Sequence, residues 1–138
     1  MISLELVRQE VMAVFQAVHI AHYSTTLVNY PDYSVVDFEH QKDPFVSVEL
    51  DLTGVTRSAL GERDLLVPAT LIVYFHYREG RGMSGTLNYT DMLNTYLGMG
   101  QVGALQFEEV RPTSVKFITG WNSTMNMLPF NVVKELVC

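Results

Sequence analysis

Two stretches of the chain alternate between apolar and polar residues, and that period of two restricts the fold more than any other feature. Val46-Ser47-Val48-Glu49-Leu50-Asp51-Leu52-Thr53 is apolar at every even position and polar at every odd one. Successive side chains of a strand point to opposite faces, so this segment is expected to be a half-buried strand of an antiparallel sheet. A second, longer run spans Leu65–Arg78. One face carries Leu65, Val67, Ala69, Leu71, Val73, Phe75 and Tyr77, and the other carries Leu66, Pro68, Thr70, Ile72, Tyr74, His76 and Arg78. Pro68 has no N–H to donate, which predicts a start at a sheet edge or a bulge. A strand of this length is expected to bend or to protrude beyond its sheet.

Helical spacing frames these strands. Leu4, Val7, Val11, Val14, Phe15 and Val18 fall on one face of a predicted amphipathic helix from Ser3 to about Tyr23, with Ser3 as N-cap and Glu5 in the first turn. Tyr30-Pro31-Asp32-Tyr33 reads as a turn between two short extended segments, Thr25–Asn29 and Val35–Phe38. Gly54 and Ser58–Asp64 form the connection between the two alternating runs. After the glycine-rich stretch Glu79–Gly85, the residues Tyr89, Met92, Leu93, Tyr96 and Leu97 predict a second helix, capped by Thr86 or Asn88 and stopped by Gly98 or Gly100. Strands are expected again over Ala104–Val110, Ser114–Trp121 and Met127–Val133, with Gly120 and Asn122-Ser123 supplying a turn. The expectation is one α+β domain over residues 1–138: a mainly antiparallel β-sheet with the N-terminal amphipathic helix and the second helix packed on it.

Composition narrows what this domain does. Charged residues make up 17% of the chain and hydrophobic ones 48%, against about 25% charged in an average soluble domain. The missing charge means either a neutral polar surface or a surface covered by other subunits. The net charge of -6 and the scattered Lys and Arg residues argue against tight phosphate binding to nucleic acid. Met1–His22 carries Glu5, Arg8, Glu10 and two histidines, and is expected to be neither a signal peptide nor a membrane span. The single cysteine, Cys138, excludes a disulfide framework within the chain, and the Asn88 and Asn122 sequons read as chance matches.

Candidate chemistry is sparse. Gly80-Arg81-Gly82-Met83-Ser84-Gly85 fits the dinucleotide pattern G-x-G-x-x-G between a strand and a helix. The preceding run is of antiparallel type, however, and Glu108 and Glu109 come too late to take a ribose, so a plain strand-to-helix loop is expected. His19 and His22, three apart, share no third metal ligand at a recognisable offset, and His40 and His76 are isolated. No nucleophile stands beside a base, so no catalytic residue, metal or cofactor is assigned. Trp121 reads either as an anchor in the interior or as a binding hot spot. Met83, Met92, Met99, Met125 and Met127 are expected to fill gaps in the interior or at an interface.

Taken in order, these features resemble a known family. The N-terminal amphipathic helix, the strand Pro44-Phe45-Val46-Ser47-Val48-Glu49-Leu50, the strand and loop Val73–Gly82, and the closing tryptophan followed by Leu128-Pro129-Phe130-Asn131-Val132 look like the tail terminator and tail-completion proteins of long-tailed bacteriophages. The resemblance implies a non-enzymatic ring, usually a hexamer, that caps the tail tube and meets the head-completion or connector protein, with DNA passing through the lumen unread. It implies a virion protein of the tail or neck, assembled in the host cytoplasm, with no membrane partner. Another neck or tube component, such as a head-tail connector, shares these features. From other classes, a small-ligand binding domain using the Gly80–Gly85 loop and a protein adaptor without a ring remain open. For a ring, the expected interface residues are Arg78 and Arg81 on the loop, with Leu66, Ile72 and Tyr74 on the second face of the long strand.

Overall fold

A computed structural model describes residues 3–31, 34–52 and 67–132. The expected connection at Gly54 and Ser58–Asp64, together with Leu65, Leu66, Val133 and Cys138, lies outside them. Helix α1 (Leu4–Tyr23) begins where expected: the Ser3 hydroxyl accepts from the Leu6 N–H at 3.3 Å, and Glu5 sits in the first turn. Its buried stripe is Val7, Val11, Phe15 and His19, four residues apart along one face. The strands are β1 (Val28–Asn29), β2 (Phe45–Asp51), β3 (Val67–Arg78), β4 (Gln101–Val102), β5 (Leu105–Phe107), β6 (Arg111–Val115) and β7 (Trp121–Val132), with α2 (Ser84–Tyr96) between β3 and β4. They form one sheet in the order β1-β2-β3-β7-β5-β4, with β6 also on β7. The β1–β2 pair is parallel and all the others are antiparallel. This is the α+β architecture the patterning predicts.

The alternation holds in detail on the inner face. Val46, Val48, Ala69, Leu71, Val73, Phe75, Leu128 and Phe130 pack against α1 and α2 around Phe15, Tyr89 and Leu93. Strand β3 does not protrude, because β7 pairs with all of it from Val67↔Val132 to Arg78↔Trp121. The β2 pairing reaches only Thr70↔Asp51, so Pro68 sits beyond that ladder, where a missing N–H costs least.

Three boundaries differ from expectation. Helix α2 starts at Ser84 with Met83 in the cap position and no side-chain cap. Thr86 and Asn88 lie inside the helix, and Thr86 instead donates its hydroxyl to Thr124 at 2.6 Å. The expected strand over Ala104–Val110 is interrupted, since Phe107 pairs with Phe130 while Arg111 pairs with Met127. Four steps on one side match three on the other, so a bulge at 108–110 shifts β6 by one residue. Finally, β6 ends at Val115 and Trp121 opens β7, separated by a turn whose Gly120 has φ +90°. Asn122 and Ser123 are therefore in the strand. Beyond these boundaries, Val35–Phe38 forms no strand, because the Val35 and Val36 N–H groups donate to the Asn29 side chain at 2.7 and 2.9 Å.

Helix α2 is attached to β7 by polar contacts as well as apolar ones. Besides the Thr86–Thr124 bond, Thr90 donates to Asn126 Oδ1 at 2.6 Å, and the fully buried Asn126 donates to the Val73 carbonyl at 3.2 Å. Thr90→Val would leave Asn126 Oδ1 without its donor in a dry site. A loss of about 1–3 kcal/mol is expected in urea unfolding, and a neutral result would mean that water replaces the hydroxyl.

Candidate assembly surfaces

One end of the sheet is built by the β3–α2 loop and the β6–β7 turn. Gly80 (φ +86°) and Gly82 (φ +79°) turn the chain through the left-handed region that side chains avoid. The loop is tied to the turn by the Glu79 N–H, which donates to the Gly120 carbonyl at 3.0 Å, and by the Glu79–Lys116 ion pair. A cleft of about 530 Å³ opens here, lined by Tyr77, Gly80, Gly82, Met83, Ser114 and Asn122 among others. Met83, Phe117 and Ile118 stand exposed at this end. Because β3 is antiparallel to both neighbours, the loop lacks the parallel crossover on which a dinucleotide site depends.

The five expected interface residues have different fates. Arg81 is exposed and has no ion pair among the described residues. Arg78 serves the chain's own fold: its guanidinium lies 4.5 Å over the Trp121 ring and donates to the Gln41 carbonyl at 2.8 Å. Tyr74 is buried and donates to Glu49 at 3.3 Å, with burial and the Glu49 charge raising its pKa. Ile72 is half-buried opposite Met127. Leu66 is outside the described residues.

The outer face of the sheet thus holds a second buried cluster that the sequence did not announce. Phe38, Phe45 and Trp121 meet in edge-to-face contacts at 5.3–5.5 Å, and His76 lies 4.8 Å from Phe38 and 4.7 Å from Phe45. Phe38 comes from the segment before β2, which crosses this face as a strap. Its carbonyl accepts from the Trp121 indole at 3.0 Å. On the inner face, His19 Nε2 lies 2.9 Å from the Thr26 carbonyl and Nδ1 2.8 Å from the Tyr89 hydroxyl. The carbonyl must accept, so Nε2 carries the proton and Tyr89 donates to Nδ1. Burial lowers the His19 pKa and raises that of Tyr89. His22 instead stacks on Tyr96 at 4.1 Å, so the two histidines share no ligand. Among the described residues no three His, Cys, Asp or Glu gather in a metal-like group.

The far end of α2 carries a feature that sequence reading missed. Met99 has φ +58° and is 72% exposed, next to the half-exposed Tyr96. Its N–H donates to the Glu108 carbonyl at 3.2 Å, which places Glu108 and Glu109 at the same corner. Glu108 faces Arg111 at 3.6 Å, whereas Glu109 is exposed without an ion pair among the described residues. The positive φ of a non-glycine residue is not encoded in any sequence pattern, which is why the sequence leaves Met99 between the interior and an interface.

Comparison with known proteins yields no matching family model and no matching curated protein. A solved structure of a protein known only by a serial designation superposes with a TM-score of 0.69 over 94% of this chain and 95% of that one, at 12% identity. At that identity the likeness is one of fold, and it extends over the whole α+β unit.

Proposed function

We propose that the chain is a structural subunit of a phage tail, a tail terminator that assembles into a ring on the tail tube and meets the head-completion protein. DNA passes through the ring without being read, and the protein performs no catalysis. The observation that carries this reading is the surface. On a chain with 17% charged residues, ten described large apolar side chains, from Leu4 to Ile118, are at least 40% exposed. Permanent subunit contacts are depleted in charge and rich in Met and aromatic residues, and an acidic balance lets DNA slide past. No described helix is long and apolar enough to cross a membrane.

Sedimentation velocity and negative-stain electron microscopy, over a range of concentrations and with tail tubes added, test the proposal. A closed ring of identical subunits is expected. A protein that stays monomeric at high concentration and beside tubes overturns it. The cleft at Gly80 and Gly82 allows one rival, a small-ligand domain. If nucleotide titration raises the thermal midpoint, as binding to the native state must, the structural reading gives way.

A further inference from the structure

We infer that the ring closes through a knob and a socket at opposite ends of α2. The Met99 corner of one subunit seats in the cleft beside Gly80, Gly82 and Met83 of the next. This rests on the ring proposal and names the surfaces that would make it. A head-to-tail contact needs two different, complementary patches on every subunit. Helix α2, with 13 residues, separates the two by about 20 Å at 1.5 Å per residue, which puts them on different sides of the molecule.

Three observations pair these patches with each other. The first is shape: Met99 projects from a left-handed turn, largely exposed, while the cleft of about 530 Å³ has two glycines without side chains in its lining, beside Met83 and Val115. A flexible thioether fits such a site well. The second is charge. Among the described residues, Arg81 flanks the cleft with no ion pair of its own, and Glu109 flanks the knob with none. The neighbouring charges at both ends, Glu79 with Lys116 and Glu108 with Arg111, are already matched within the chain. The third is cost. A bulky side chain held at positive φ and exposed to water is unfavourable twice over in the free subunit, and seating it in a neighbour removes the exposure.

The test is a set of variants examined by sedimentation, each with its thermal midpoint measured at a concentration where it is monomeric. Met99→Gly removes the knob and relieves the backbone. Self-association is expected to fall about tenfold or more, while the monomer melts within about 2 °C of the parent or above it. A merely structural role for Met99 would not move the two readouts in opposite directions. Arg81→Glu and Glu109→Arg should each weaken association about tenfold, and the double variant should recover most of it, because the charges are exchanged and not removed. If the parent forms rings and these variants form them equally well, the knob-and-socket contact is wrong and the ring reading stands. If the parent never associates, alone or on tubes, both fall.

Discussion

Replacing Trp121 by alanine is expected to cost about 3–5 kcal/mol, the range for removing a buried large aromatic side chain, and to lower the thermal midpoint by roughly 10–17 °C at this chain length. The indole is 2% exposed and touches Phe38 and Phe45 edge-on. Two further interactions depend on it. Its N–H holds the strap through the Phe38 carbonyl, and its ring face carries the Arg78 guanidinium. Without the ring, Arg78 keeps its bond to Gln41 but loses its stacking partner, and Phe38 loses both a neighbour and an anchor. Trp121→Phe retains much of the packing and forfeits the N–H, so its loss is expected near 1 kcal/mol. Circular dichroism melts of both variants measure the difference. A loss below about 1 kcal/mol for Trp121→Ala would mean that the outer face contributes no second interior, and Trp121 would then count as a surface anchor.

This cluster also marks where the sequence stopped being informative. The inner face was legible because apolar alternation in β2 and β3 and the four-residue stripe of α1 report the same packing. The first half of β7 was not, because its inward positions are Asn122, Thr124 and Asn126. The last two meet Thr86 and Thr90 of α2 through hydroxyl and amide bonds. Buried polar pairs of this kind have no hydrophobic period, so the pattern predicts the strand only from Met127 onward. The start of helix α2 is hidden for a related reason: Thr86 looks like a cap, while its hydroxyl is engaged with Thr124 of β7.

The candidate surface was legible in part. The Gly80–Gly85 loop and Arg81 stood out by composition, and the structure places both at an exposed end. Arg78 looked equally available, yet cation stacking on Trp121 takes it inward, a contact across the end of the β3–β7 pair that depends on register. The sequence leaves Met99 between the interior and an interface and gives Glu109 no surface role, since the one depends on a dihedral angle and the other on a bulge that turns the chain at 108–110. Low charge leaves open a neutral surface or one covered by other subunits, and part of the apolar outer face is covered within the chain itself. The strap and Phe117 close over Tyr74 and His76, with Phe117 5.1 Å from Tyr74.

The same closure predicts a pH dependence centred on His76. Its Nδ1 is 2.6 Å from the Ser123 hydroxyl and its Nε2 2.9 Å from that of Ser47. Serine hydroxyls rotate to donate or accept, so both tautomers and the cation can be hydrogen-bonded. What opposes the cation is burial: His76 is 2% exposed, with Phe38, Phe45, Tyr74 and Phe117 around it. Of the charged groups on this face, Glu49 is engaged with the Tyr74 hydroxyl and Arg78, two residues along β3, is itself positive. Desolvation accordingly depresses the pKa from 6.5 to about 4. The unfolded chain therefore takes up the proton first as pH falls. Stability from the buried neutral ring is complete above pH 6.5 and is lost progressively down to about pH 4, by about 3 kcal/mol. His19, also depressed, adds a loss of the same sign. The exposed carboxylates Glu5, Asp37 and Glu79 are shifted down and titrate alike in a variant. Urea unfolding of the parent and of His76→Gln at pH 8 and pH 4 isolates the effect: the parent's advantage should shrink by about 3 kcal/mol over that interval. Parallel curves would mean that solvent reaches the imidazole, and the strap would then not seal the outer face.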